Sequence, residues 1–327
     1  MKICIIKLGA DGDVLRTLPL SEAIKKKYKD AEITWITKGS ISTLLEGNPV
    51  IDVVKTLPYS ENEQFDALYN FDVEEEASSL AVKIKAEKKY GFYSENGFPI
   101  AFNSGAEYYL NTMFDDELKK NNAKTYQEMM FMAAEIPYEK RRYELVLNKE
   151  EKEYTQRFID EDMLQDKKII GIHMGAGSRW PSKAWHKDRI KEFIKLANEK
   201  NYAIILFGGP NEIKEHVFFA EELKKEGINV YRNNPENSKR EFASLVSICN
   251  CLVCSDSFAM HVALGLGIKT IALFFVTSPD EVEGYGLLKK VVSPMLKGFF
   301  PERSDIYDEA LTKSIMAEDV FRPIKEQ

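Results

Sequence analysis

Ile3-Cys4-Ile5-Ile6-Lys7-Leu8-Gly9-Ala10-Asp11-Gly12-Asp13-Val14-Leu15-Arg16-Thr17-Leu18-Pro19 is the stretch that decides the fold. Four consecutive apolar residues read as a strand buried on both faces, as in a parallel sheet. Gly9 and Gly12 allow a turn and a close backbone approach to a ligand, and a helical pattern begins at Asp13. In an open α/β sheet, ligands collect at the carboxyl ends of the strands. Gly12 and Asp13 are therefore candidate site residues. The spacing Gly-x-x-Gly-Asp departs from the dinucleotide fingerprint G-x-G-x-x-G, and an acid at the helix start repels phosphate. Asp13 is better suited to taking a proton from a hydroxyl.

Outward from this turn, strand and helix alternate. Strands are predicted at 2–7, 31–37, from Val53 and at 65–71, with helices at 13–29, 40–46 and 75–87. Residues 90–125 read as an irregular insertion, followed by a helix over 124–135. A charged helix, Lys149 to Asp166, precedes a second start at Lys168-Ile169-Ile170-Gly171-Ile172-His173. Further strands are predicted at 202–207, 228–231, 251–254 and 269–274, with helices between them. The pattern implies parallel sheets flanked by helices. It divides the chain into Rossmann-like domains at 1–166 and 167–307, with a tail helix at 308–327 expected to pack back on the first domain.

The chain has 327 residues, 44% apolar and 30% charged, with a formal net charge of −7. This composition is that of a globular protein and lacks the basic footprint of a nucleic-acid binder. No apolar run approaches the ~20 residues that span a bilayer. The chain opens on a strand, so no secretory leader is expected and the cytoplasm is the expected location. Cys249, Cys251 and Cys254 lie close together, but no second Cys/His pair with zinc spacing exists; they read as buried thiols.

Four further segments end strands with chemistry-bearing residues. His173-Met174-Gly175-Ala176-Gly177-Ser178-Arg179-Trp180-Pro181-Ser182-Lys183-Ala184-Trp185 is a glycine-rich loop with two cations and two indoles. Its backbone N–H groups can hold phosphate oxygens, and Lys183 can neutralise a diphosphate; a plain surface loop is the alternative. In Ser255-Asp256-Ser257-Phe258-Ala259-Met260-His261 a strand gives way to a helix whose start can bind an anion. His261 lies one turn inside, where it supports that site or is simply buried. Leu206-Phe207-Gly208-Gly209-Pro210-Asn211-Glu212 repeats the strand–glycine–helix pattern. Glu212 can accept from ribose hydroxyls or serve as an acid in a first helical turn. Asn70 and Asp72 end the strand before 73, either facing a ligand or capping the chain.

These segments together resemble glycosyltransferase family 9, the bacterial heptosyltransferases of lipopolysaccharide core assembly. The resemblance rests on Lys7…Gly12-Asp13-Val14-Leu15-Arg16-Thr17-Leu18-Pro19, the Gly175–Trp185 loop and Ser255-Asp256-Ser257…His261. Tyr69-Asn70-Phe71-Asp72, Thr277-Ser278-Pro279 and Gly284-Tyr285-Gly286 match further family positions. The likeness covers nearly the whole chain. It implies a GT-B fold, two Rossmann-like domains facing across a cleft, and an inverting, metal-independent transfer from an ADP-activated sugar, typically ADP-L-glycero-β-D-manno-heptose. By position, Asp13 is then the general base, with Gly12, Asn70 and Asp72 on the acceptor side. Gly177, Ser178, Lys183, Asp256, Ser257, Phe258 and His261 bind the donor diphosphate and sugar, and Gly208 and Glu212 lie at the nucleoside. The acceptor is lipid-linked or an oligosaccharide. A lipid-linked acceptor implies peripheral contact with the inner membrane, for which Lys25, Lys26, Lys27 and Lys29 offer a patch, unless they form only a solvated helix end. No metal or resident cofactor is expected.

Three positions depart from the family pattern. Phe258 stands where a glycine is common, Ala184 where an arginine is often found, and Val276 where Gly or Pro often precedes Thr-Ser/Asp-Pro. A ring at 258 is expected to crowd the donor sugar or re-aim the helix start. Three rival readings remain: a GT-B transferase using another nucleotide sugar, a family member that binds without catalysing, and a nicotinamide-dependent oxidoreductase, which the missing fingerprint disfavours.

Overall fold

A computed structural model describes every residue except Glu61, Ala176, Ser178, Glu326 and Gln327. The chain forms two compact units, residues 1–146 with 280–283, and 147–279 with 284–327. Each is built on one six-stranded sheet among the described residues.

The first sheet contains β1 (Lys2–Ile6), β2 (Glu32–Thr37), β3 (Val53–Thr56), β4 (Gln64–Asn70), β5 (Lys85–Glu95) and β6 (Phe98–Ala101), in the order β3-β2-β1-β4-β5-β6. The second contains β7 (Lys168–His173), β8 (Tyr202–Phe207), β9 (Val230–Arg232), β10 (Cys251–Ser255), β11 (Lys269–Phe274) and β12 (Leu288–Val292), in the order β12-β11-β10-β7-β8-β9. Counted from each unit's own first strand, both orders are 3-2-1-4-5-6, the doubly wound Rossmann topology. The order reverses between β1 and β4 in one unit and between β7 and β10 in the other. The first sheet departs from the second at its last strand, because β5 and β6 are antiparallel whereas β11 and β12 are parallel.

Apolar runs explain the central strands. Ile3, Cys4, Ile5 and Ile6 are all fully buried, and β1 pairs on both sides, Ile6 with Ile36 and with Asn70. In the second unit one core cluster joins Ile170, Ile172, Val253 and Ile271 of the sheet to Trp185 and Phe193 beside it. All four cysteines are buried thiols, and burial pushes each above its ordinary pKa.

The structure corrects the sequence reading in four places. Residues 90–125 are not irregular. They complete β5, turn at Asn96 and Gly97 with φ of 52° and 83°, return as β6, and continue into helices Ser104–Thr112 and Asp116–Asn121. Positive φ at both turn residues suits a tight hairpin. The helix expected to reach 87 stops at Lys83, because Lys85-Ala86-Glu87-Lys88-Lys89 pairs with β4. That segment's composition favours helix, and strand pairing overrides it.

The boundary falls before Leu147 rather than at 166, since helix Lys149–Glu161 belongs to the second unit. Buried Glu151 pairs there with Arg240, and the Tyr154 hydroxyl accepts from Asn237 Nδ2 at 2.6 Å. The tail helix, Ala317–Lys325, likewise packs on its own unit rather than on the first. Its stripe of Ala317, Val320, Phe321 and Ile324 enters the second core, with Phe321 edge-on to Phe193 at 5.7 Å.

Candidate active site

In the first unit the site stands where the strand order reverses. Asp13 follows β1 on the helix Asp11–Thr17, and Asp72 follows β4. Asp72 is 2% exposed, and its Oδ2 accepts from the N–H groups of Leu8 and Gly9 at 3.0 and 3.1 Å. Its Oδ1 accepts from Glu74 N–H at 3.1 Å. Asn70 spends its side chain on backbone, donating to the carbonyls of Asp72 and Phe92 and accepting from Asp72 N–H. Asn70 and Asp72 thus fix the glycine turn that carries Asp13.

Lys7 lies beneath this turn, 3% exposed, with Nζ 3.5 Å from Asp72 Oδ2 and 3.9 Å from Asp13 Oδ2. Burial disfavours its charge, but Tyr126, Asp72 and Asp13 outweigh that effect and hold its pKa above the ordinary lysine value. On the other side of Asp13, Arg16 donates to Oδ1 through Nε at 3.0 Å and approaches it with Nη2 at 2.8 Å. The Arg16 guanidinium lies 3.7 Å from the ring centre of Tyr126. The sequence reading assigned no role to Lys7, Arg16 or Tyr126. A lysine closing an apolar strand was the visible signal for Lys7, whereas the Arg16–Tyr126 contact joins positions 110 residues apart.

The second unit has its cluster at the corresponding reversal. Lys183 Nζ donates to the carbonyl of Asp256 at 2.8 Å and stands 3.5 Å from its carboxylate. Ser255 Oγ donates back to the Lys183 carbonyl at 2.5 Å, so loop and strand end are tied in both directions. Helix Phe258–Gly265 starts immediately beyond. Ser257 occupies its N-cap without capping it, and its Oγ is buried with no hydrogen-bond partner among the described residues. A buried hydroxyl beside the unsatisfied N–H groups of a helix start is a ready anion contact. His261 is buried one turn inside that helix. Phe258 stacks on Phe242, centroids 5.9 Å apart at 29°, with Lys239 Nζ 5.7 Å from its ring centre. Ser178 lies outside the described residues, and Gly177 adopts φ of 74°.

Next to it, Glu212 links two glycine loops. Its Oε2 accepts from Gly209 N–H at 2.8 Å, and its Oε1 lies 2.9 Å from where a Cβ on Gly175 would stand. A Cβ on Gly208 would come within 2.8 Å of both Glu212 Cβ and His216 Cε1, so Gly208 has no room for a side chain, whereas one on Gly175 would displace the Glu212 carboxylate. Gly208 is also clamped by Asn233, which accepts from its N–H at 3.0 Å and donates to its carbonyl at 3.1 Å. Burial and neighbouring His216 push the His173 imidazole down to about 4, against a hydrogen bond with Gly175 that favours its charge. Burial and Arg232 push His216 down to about 4 as well. Both rings are therefore neutral near pH 7. A histidine closing an apolar strand was the sequence signal for His173; His216 gave none.

Among the described residues, no group of three or more His, Cys, Asp or Glu side chains is arranged to hold a metal ion, and no helix is long and apolar enough to cross a membrane. The lysine run of the first unit is paired: Lys25 with Asp52 at 2.7 Å, Lys26 with Glu139 at 2.6 Å, and Lys27 with the Glu135 carbonyl at 3.3 Å.

The model of glycosyltransferase family 9 (heptosyltransferase) matches residues 59–302. The chain belongs to this family. It is 24% identical to the lipopolysaccharide core heptosyltransferase OpsX of Haemophilus influenzae, over 89% of this chain and 84% of that one. A family 9 glycosyltransferase structure from Veillonella parvula superposes with a TM-score of 0.78 at 19% identity, covering 99% of this chain and 96% of the other. The Escherichia coli ADP-heptose lps heptosyltransferase II superposes with a TM-score of 0.72 at 18% identity, covering 100% and 98%. The chain is thus a glycosyltransferase with the two Rossmann-like units of the GT-B fold.

Proposed function

We propose that this family 9 enzyme moves a heptose, or a similar sugar, from an ADP-activated donor to a lipopolysaccharide core or related glycan, with inversion and without metal. One observation carries the reading. Two units of the same strand order hold complementary chemistry at equivalent places: a carboxylate anchored by buried Lys7 in the first, and a cation with a helix start in the second. The ADP-heptose and heptosyltransferase names of its relatives favour the donor class.

In this mechanism the Asp13 carboxylate takes the proton from an acceptor hydroxyl. The hydroxyl oxygen bonds to the anomeric carbon as the bond from that carbon to the diphosphate oxygen breaks. The electron pair leaves with ADP, and Asp13 later returns its proton to solvent. Attack opposite the leaving group inverts the anomeric centre. General-base assistance is typically worth 10²–10⁴-fold. Lys183, Ser257 Oγ and the N–H groups at Phe258 and Ala259 meet the charge that develops on the diphosphate, a role in which preorganised donors contribute strongly. Gly208 and Glu212 face the nucleoside, and His261 braces the helix start. The proposed workplace is the cytoplasm, with peripheral membrane contact if the acceptor is lipid-linked.

The test is transfer of labelled heptose from β-linked ADP-heptose to extracted core glycan in EDTA, with the product linkage assigned by NMR. An α-linked product formed without metal is expected. A retained β linkage, or a strict metal requirement, contradicts the mechanism.

A further inference from the structure

We propose that Arg16, seated on the ring of Tyr126, is the positioning residue that sets the orientation of the Asp13 carboxylate for proton transfer. The inference rests on Asp13 being the base.

An arginine three residues after an aspartate on a helix is ordinarily a solvated surface pair that holds no fixed rotamer. This pair differs in three respects. Two guanidinium nitrogens, Nε and Nη2, converge on the single oxygen Oδ1 at 3.0 and 2.8 Å. The Arg16 side chain is only 13% exposed, and its guanidinium lies 3.7 Å from the ring centre of Tyr126. Tyr126 is itself 1% exposed on helix Tyr126–Ala133, braced edge-on by Tyr109 at 5.7 Å and 85°. A guanidinium stacked on an immobile ring cannot follow a rotating carboxylate, so it selects one rotamer. Lys7 Nζ lies toward the opposite oxygen, Oδ2, at 3.9 Å. The carboxylate is gripped at Oδ1 and drawn from the Oδ2 side, which defines its plane. A base out of plane by an ångström forfeits on the order of 10²-fold in rate.

The test combines Arg16→Ala, Arg16→Lys, Tyr126→Leu, Tyr126→Phe and Asp13→Asn in a steady-state transfer assay, with melting curves to report folding. Arg16→Ala is expected to lower kcat ~10–10²-fold while leaving donor KM within about twofold. Added guanidinium ion should restore part of the loss. Arg16→Lys should stay impaired, because an ammonium lacks the planar fork. Tyr126→Leu should lose more than Tyr126→Phe, which keeps the ring face. Adding Arg16→Ala to Asp13→Asn should cost nothing further, the signature of action through one group.

Arg16→Ala within threefold of wild-type kcat overturns the proposal, as does an equal loss in the Asp13→Asn background. If Arg16→Ala does not fold, Arg16→Lys and Tyr126→Leu decide: wild-type kcat in both overturns it, and reduced kcat at unchanged KM supports it. Asp13→Asn with wild-type kcat overturns the base assignment and this inference with it. An inactive Asp13→Asn beside an active Arg16→Ala overturns this inference alone.

Discussion

The turns after β1 and β7 stand at the same point of the same strand order, yet hold different chemistry. After β1 the chain presents Asp13 on a short helix, with a second carboxylate, Asp72, and with buried Lys7 and half-buried Arg16 neutralising the pair. After β7 it runs through a longer glycine-rich loop to Lys183, whose ammonium is tied to the end of β10 beside an open helix start. The strand order determines where a site stands, and the turn determines what it binds. An anchored carboxylate repels phosphate and suits proton transfer; an ammonium tethered beside a helix start suits phosphate, and there the Asp256 carboxylate, 3.5 Å from Lys183 Nζ, serves as the ammonium's partner.

Breaking either side should produce different failures. The largest effect is expected from Asp13→Ala, a loss of ~10²–10⁴-fold in kcat. ADP affinity measured by calorimetry should stay within about twofold, since the lesion is in the first unit. Equal loss of ADP binding would erase the contrast between the turns. Next, Lys183→Ala removes a charged contact worth ~1.5–3 kcal/mol, so ADP should bind roughly 10–100-fold more weakly. Lys183→Arg should recover only part of this, which titration of both variants would reveal.

The third effect separates the units by pH. His173 and His216 titrate near 4 when folded, below the ordinary histidine value of about 6.5. The unfolded chain therefore binds more protons between those values, and stability rises with pH across that window. It is fully present above about 6.5 and lost as pH falls toward 4, at ~1.4 kcal/mol per unit of difference for each ring. Melting followed from pH 7.5 to 4.5 should show the transition of the second unit falling, and His216→Phe should flatten its slope. A slope unchanged by that substitution would show that His216 carries no part of it.

The smallest effect sharpens the comparison. Phe258→Gly removes a ring stacked on Phe242 and should cost the second unit ~1–3 kcal/mol through lost packing and backbone freedom. It should also shift preference among ADP-sugars by less than tenfold in kcat/KM. A larger switch would place the ring against the sugar rather than against the protein.

The sheets were legible because buried parallel strands write themselves as apolar runs: Ile3–Ile6, Ile169–Ile172 and Leu252–Cys254 each became a central strand. β5 was not legible, because a strand rich in lysine next to β4 carries no periodic signal. The tail helix showed its apolar stripe but not the surface that would cover it. Asp13, Lys183, Asp256 and Glu212 were visible at strand ends. What holds them was not: Arg16 on Tyr126, Asn233 around Gly208, and the histidine neighbours were set by pairings between distant parts of the chain. Phe258, expected to crowd a sugar or re-aim its helix, has its ring stacked on Phe242, a contact between distant positions that the sequence did not show.

The most direct test of the central claim is calorimetric titration of the full chain with ADP, UDP and GDP in EDTA. Binding selective for ADP is expected, weakened roughly 10–100-fold in Lys183→Ala and kept in Asp13→Ala. Preference for UDP or GDP, or binding that survives Lys183→Ala unchanged, would contradict it.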